Sequence, residues 1–261
     1  MTLSLLSLDT LFIFALLNVR IGAIVISCPL FNSRNIPSQL KIIFIFMLSL
    51  GLYPLTQAQP VTVPPGLAPL ALVLLGEMLL GLAIGMVAQV LFAGIQLGGE
   101  LMSQQMGLNI ATILDPQHAQ QISLITHFQD IMALLLFLSG SIHHWFILAM
   151  AESLHSIPLA GLSVSDAVLP TLLTLFGKAC VIAVQLAAPV SVALLLATLA
   201  LGILARLVPQ MNVFMLSFPI TFGLGLLILS LALPYLLGAI QGAFAQLDDD
   251  LIRMIRALGA H

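Results

Sequence analysis

The chain has 261 residues, of which 61% are hydrophobic and 7% charged, with a formal net charge of -3. A water-soluble domain carries about 25% charged residues, so this composition cannot build a water-facing surface, and most of the chain is expected to meet lipid or other protein. The seven lysines and arginines are scattered, which excludes a nucleic-acid footprint.

A membrane-spanning helix needs about 20 mostly apolar residues. The pattern predicts apolar stretches at 10–31, 40–55, 67–96, 131–150, 169–205 and 213–238. The first holds Arg20, and no basic residue precedes it. The positively charged start of a secretory signal is therefore missing, and the run is expected to be a retained helix. Asn32-Ser33-Arg34-Asn35-Ile36-Pro37 reads as a turn. The second run is short and ends at Tyr53-Pro54; Pro60 through Pro69 holds four prolines and Gly66 and reads as an extended loop.

Segment 97–130 is the longest polar stretch, and 152–168, with Pro158, Gly161 and Asp166, reads as a second loop. The run 169–205 holds one charge, Lys178, and a proline, Pro189. As one straight helix it would be roughly 55 Å long, against a hydrocarbon core of about 30 Å. It must tilt strongly, kink at Pro189, or leave the bilayer and pack on protein. Arg206 to Asn212 is a tight connection, and the tail from Asp248 reads as a charged amphipathic helix end.

Arg34 and Lys41 fall in the first loop and Arg206 in the last tight one, while 54–68 and 152–168 have no basic residue. The positive-inside rule then puts the two basic loops in the cytoplasm and both termini outside. Arg253 and Arg256 run against this, but three aspartates precede them. Gly81-x-x-x-Gly85, Gly94-x-x-x-Gly98 and Gly238-x-x-x-Gly242 place small residues one turn apart, which lets helix backbones approach closely.

Arg20, Glu77 and Lys178 lie inside apolar runs, where a charge costs about 2.5–3.5 kcal/mol on insertion scales. A transporter would pair such groups across a substrate path; a structural protein would pair them across helix or subunit interfaces. The structural reading is favoured, because so few intramembrane charges do not make a proton relay. Arg20 with Glu77 is one internal pairing open to the chain. His143-His144-Trp145 suits an interfacial belt; adjacent histidines face different sides of a helix and do not share a metal as an i, i+4 pair would. HExxH, GxSxG and Walker A sequences are all missing. Cys28 and Cys180 have no metal or redox spacing and are expected as buried thiols.

The most distinctive segment is 94–121. Gln96, Glu100, Ser103, Gln104 and Gln105 make a polar helix end, and Met106 to Leu114 is apolar, glycine-punctuated and closed by Asp115-Pro116. An uncharged segment of this kind could fill a cavity without desolvating an ion; it also suits a re-entrant or buried interhelical loop.

Gln96-Leu-Gly-Gly-Glu-Leu-Met-Ser-Gln-Gln-Met-Gly-Leu-Asn-Ile-Ala-Thr-Ile-Leu-Asp-Pro116 resembles the signature stretch of the FliR/SctT family of type III secretion export gate subunits, the flagellar branch more closely than the virulence branch. The early Arg20 helix, the proline-rich 54–69 loop, Pro158 and the Pro209-Gln-Met-Asn212 turn also fit, so the resemblance spans essentially the whole chain. Past Pro116-Gln117, His118-Ala-Gln-Gln121 departs from the commonest pattern.

The resemblance implies an all-α membrane protein of kinked helical hairpins. Residues 1–165 would form a FliP-like part and 166–261 a FliQ-like hairpin with a tail, inside a helical hetero-oligomeric export gate. FliP and FliQ would be the assembly partners, with FlhB at the cytoplasmic side and FlhA in the surrounding machinery. The gate would be non-enzymatic, without cofactor or metal. It would sit in the bacterial inner membrane at the flagellar basal body, contact lipid, and pass unfolded flagellar substrates. A separate ATPase and the proton motive force would supply the energy.

By the same resemblance, Met106, Gly107, Leu108, Asn109, Ile110, Ala111, Thr112, Ile113, Leu114 and Asp115 belong to a loop that plugs the closed pore, with Gln104 and Gln105 as its anchor. Arg20, Glu77, Lys178 and Arg206 are then charges between helices or subunits. The alternative is a small-molecule secondary transporter, which would purify alone or as a homo-oligomer with a midplane site. A third reading, an intramembrane hydrolase, needs a nucleophile and base within about 3 Å.

Overall fold

The computed structural model describes residues 8–32, 36–56, 61, 63–108, 123–162, 165–210 and 212–259. In chain order they form α1 (Leu8–Ser27), α2 (Pro29–Asn32), α3 (Ser38–Leu52), a short 3-10 helix (Tyr53–Thr56), α4 (Leu67–Gln105), α5 (Leu124–Ser139), α6 (Ile142–Ser156), α7 (Val168–Leu207), α8 (Val213–Ala245) and α9 (Leu247–Gly259). No strand occurs among the described residues, and the fold is all-α as expected. With lipid as solvent, a spanning segment must satisfy its backbone internally, and helices do this.

Among the described residues, five helices are long and apolar enough to cross a membrane, and six spans result if α5 and α6 together count as one bent span. The chain is a multi-pass membrane protein. The span Ser38–Thr56 is only 11% buried, and Ile42, Phe46 and Leu50 of α3 are exposed. Faces this apolar are matched to lipid or to a partner, not to water.

Three expectations change. The run 131–150 is not one helix: α5 and α6 meet at a 67° bend. The break is at Gly140-Ser141, where Ser141 has φ 55, a left-handed conformation incompatible with continuing the helix. The helix expected from 131 starts earlier, at Leu124, while the polar helix end read at Gln96–Gln105 is present because α4 runs on to Gln105. The loop expected from 152 begins later, since α6 continues to Ser156. Pro189 lies inside a 40-residue α7, and Pro219 and Pro234 lie inside α8.

The fold divides into two compact units that are discontinuous in sequence. The first comprises Met1–Val90, Ser141–Phe176 and Gln246–His261, the second Leu91–Gly140 and Gly177–Ala245. In the first unit, Leu16, Leu17, Ile21 and Ile24 of α1 are buried with Leu80 and Ile84 of α4. α9 covers α6 through Leu251, Met254 and Ile255. Asp248, Asp249 and Asp250 in its first turn and Arg256 in its last complement the helix dipole. In the second unit Phe92, Phe137 and Phe244 form an aromatic triad with centroids 5.5–5.8 Å apart.

Candidate functional site

The candidate site is the pair of helix ends that bracket residues 109–122. α4 ends in a Schellman turn. The Met106 amide donates to Met102 O at 3.0 Å, Gly107 N–H to Gln104 O at 3.1 Å, and Leu108 N–H to Ser103 O at 3.1 Å. Gly107 has φ +78, the left-handed conformation that glycine adopts without a Cβ penalty. The helix therefore stops at a defined residue, with the carbonyls of Met102, Ser103 and Gln104 satisfied.

Beyond this cap, α4 and α5 are joined by a ladder of side-chain hydrogen bonds. Ser103 and Ser123 hydroxyls bond each other. Thr126 Oγ1 donates to Glu100 Oε1 at 2.9 Å. Gln96 Nε2 donates to Asp130 Oδ2 at 3.0 Å. On α4 the rungs stand at 96, 100 and 103, on α5 at 130, 126 and 123, so each step along one helix is matched by an opposite step on the other. This is the i, i+3/i+4 face of each helix, in antiparallel register. Gly99 lets the two backbones meet: a Cβ there would lie 2.7 Å from Thr126 Cα and 2.6 Å from Gln129 Oε1. Gln129 is fully buried, and neither amide atom has a hydrogen-bond partner among the described residues.

Met102 and Met106 are fully buried. Met106 packs against Gly225 of α8, where a Cβ would sit 2.6 Å from Met106 Cγ. Gln104 and Gln105 are exposed; the side-chain bonds that tie the two helix ends are made by Ser103 and Ser123. Of the residues expected in the plug, Met106, Gly107 and Leu108 are described, and Asn109, Ile110, Ala111, Thr112, Ile113, Leu114 and Asp115 lie outside the described residues.

The first unit holds a buried charge cluster. Arg20 of α1 and Glu77 of α4 are each 1% exposed. Arg20 Nε donates to Glu77 Oε2 at 2.5 Å and Nη2 to Glu77 Oε1 at 3.0 Å. Nη1 donates to Ser153 O at 3.0 Å and Ile157 O at 2.8 Å, and Nη2 to Pro158 O at 3.3 Å. All five guanidinium donors are thus used. The second acceptor lobe of Glu77 takes the Ala160 amide at 2.8 Å. Arg20 therefore adds three side-chain bonds at the carbonyl end of α6, where Ser153 O and Pro158 O also accept the Ile157 and Gly161 amides.

One turn further along α4, Gly81 and Gly85 seat α1. A Cβ at Gly81 would lie 2.6 Å from Ala23 Cβ, and one at Gly85 would lie 2.9 Å from Ile24 O. In the second unit Gly94 and Gly98 seat α7 against Ala179 and Ala183. A Cβ at Gly238 or Gly242 would meet nothing within 4 Å among the described residues. Lys178 is half-buried on α7, and Arg206 is exposed in its last turn. Cys28 is buried and Cys180 exposed, and neither is in a disulfide. Among the described residues no group of three His, Cys, Asp or Glu side chains could hold a metal ion.

Ser123, Thr126, Gln129 and Asp130 were not singled out by the sequence reading. Their signal was present, as a polar 3–4 spacing inside an apolar helix that mirrors 96, 100 and 103. It is visible only once α5 is known to begin at Leu124.

Comparison with known proteins gives a consistent result. The model of the family "Bacterial export proteins, family 1" matches residues 11–247. The flagellar biosynthetic protein FliR of Pectobacterium carotovorum subsp. carotovorum is 31% identical over 243 residues, covering 93% of this chain and 92% of that protein. That of Escherichia coli (strain K12) is 29% identical over 241 residues, covering 92% and 91%. That of Bacillus subtilis (strain 168) is 31% identical over 252 residues, covering 94% and 95%.

Proposed function

The chain belongs to the bacterial export proteins, family 1, with a role in flagellar export, and on that premise we propose that it is a gate subunit that forms an inner-membrane pore with FliP and FliQ. The segment that follows Gln105, Met106–Asp115, plugs the closed pore. FlhB binds at the cytoplasmic side and FlhA surrounds the gate at the flagellar basal body. Residues 1–165 are the FliP-like part and 166–261 the FliQ-like hairpin with its tail. The subunit makes and breaks no covalent bond; it packs and unpacks a loop to let unfolded flagellar substrates pass.

The observation that carries this reading is the ladder. A loop that must seal a pore and still move needs fixed feet. The capped end of α4 and the Ser103–Ser123, Glu100–Thr126 and Gln96–Asp130 rungs supply them. The exposed apolar faces of α3, α7 and α8 are then the surfaces that partners and lipid cover.

Co-expression tests the assembly. A tagged copy of the chain, solubilised in mild detergent, is expected to bring down FliP and FliQ in fixed ratio. A chain that purifies alone, is stable, and moves a small solute in liposomes is instead a transporter.

A further inference from the structure

The first unit contains a groove of about 690 Å³ between α6, α9 and the 3-10 helix. Such a volume is that of a small-ligand site. Glu152, His155, Asp248 and Arg256 supply its polar wall, while Leu55, Leu148 and Ile252 supply an apolar one. Leu148 is 63% exposed and Leu55 53%. Arg256 is in no ion pair with Glu152 or Asp248 among the described residues. Among the described residues Glu152 takes only the Ser156 hydroxyl, at 2.9 Å. Charges of both signs therefore line one groove without neutralising each other.

Its depth is set by α9. This helix has one apolar face packed on α6 and an outward face carrying Asp249 and Arg253, with Arg256 at the edge that borders the groove. A face this charged lies in water and not in hydrocarbon. Leu55 lies just past the end of α3, whose start carries Lys41. Under the positive-inside count, the groove is at the outer side.

We propose that this groove binds one membrane phospholipid with a zwitterionic ammonium–phosphate headgroup, of the phosphatidylethanolamine class. The ammonium sits against Glu152 and Asp248, the phosphate against Arg256 and the His155 ring, and the acyl chains leave over Leu55 and Leu148. Arg suits phosphate as a planar donor fork. Two carboxylates against one guanidinium favour a headgroup that brings its own cation over a purely anionic one.

The test uses native membrane vesicles containing the full chain with whatever partners it holds. They are loaded with phosphatidylethanolamine carrying a photoactivatable acyl chain, and labelled peptides are mapped by mass spectrometry. Labelling is expected within 148–156 or 248–256, competed by excess phosphatidylethanolamine and not by phosphatidylglycerol of the same chains. The double substitution Glu152→Gln with Asp248→Asn removes both carboxylates that face the ammonium and should lower it at least about tenfold, the effect of losing a single charge-assisted contact.

Equal competition by phosphatidylglycerol overturns the proposal, as does labelling unchanged by the double substitution. So does labelling elsewhere on the chain with none in the groove, or cross-linking of the groove to a neighbouring protein. If the double variant does not accumulate, lipid competition on the unmodified chain decides. None of these outcomes depends on the pore reading.

Discussion

Arg20 and Glu77, 57 positions apart in sequence, form a bidentate ion pair with both side chains buried. The pair ties α1 to α4, and its remaining donors hold the end of α6. Three helices distant in sequence are thus fixed by one guanidinium. Removing one partner leaves a buried charge, which costs about 3–5 kcal/mol, whereas replacing both by apolar groups is often far cheaper. Arg20→Met or Glu77→Gln alone is expected to abolish stable accumulation in membranes. The double variant Arg20→Met with Glu77→Met should recover part of it. Quantitative immunoblotting checks this; a double variant no better than the singles would show that the carbonyl contacts at Ser153, Ile157 and Pro158 dominate.

Gly81 and Gly238 have the same sequence signature and opposite surroundings. Gly81→Leu must push α1 off α4, and overpacking of this kind costs about 1–3 kcal/mol or more. It should lower the melting temperature of the purified protein. Gly238→Leu meets open space within the chain, so it should leave the chain's own stability unchanged. It should weaken co-purification with FliP and FliQ if α8 is a subunit face.

The Ser103–Ser123 contact gives a direct geometric check. Paired cysteines at these positions are expected to form a disulfide on mild oxidation of membranes, read as a mobility shift. On the proposal that the feet stay fixed while the loop moves, export measured as secreted flagellar protein should stay within about twofold, a change worth under 0.5 kcal/mol. Loss of export on oxidation, restored by reduction, would show that the ladder itself opens.

Gly107 has φ +78, where a Cβ costs roughly 1–2 kcal/mol. Gly107→Ala should fray the last turn of α4. Faster amide exchange confined to about residues 102–108 is the expected readout, while unchanged exchange would mean that packing of Met106 on Gly225 holds the turn without the cap.

The helical, multi-pass character was legible in composition alone, because 7% charged residues leave no soluble alternative. Most helix ends were legible too, where Gly, Pro or a polar run marks them. The bend at Gly140-Ser141 was not, since it lies inside an apolar run and depends on the left-handed backbone of Ser141. Arg20 and Glu77 stood out because a buried charge is costly, but nothing in their spacing names Ser153, Ile157 and Pro158 as the other acceptors. The ladder was half legible: 96, 100 and 103 read as a polar helix end, whereas 123, 126 and 130 gain meaning only when antiparallel pairing sets them opposite. Of Gly81, Gly94 and Gly238, whose motifs look alike, the fold seats partners on two.

The central claim is that the segment after Gln105 seals a pore built with FliP and FliQ. Its most direct test is the ion conductance of the purified complex in planar bilayers, with and without residues 108–114. A closed complex is expected when the loop is intact. The deleted form should assemble normally and conduct steadily. Assembly with no conductance in the deleted form, or equal conductance in both, would contradict it.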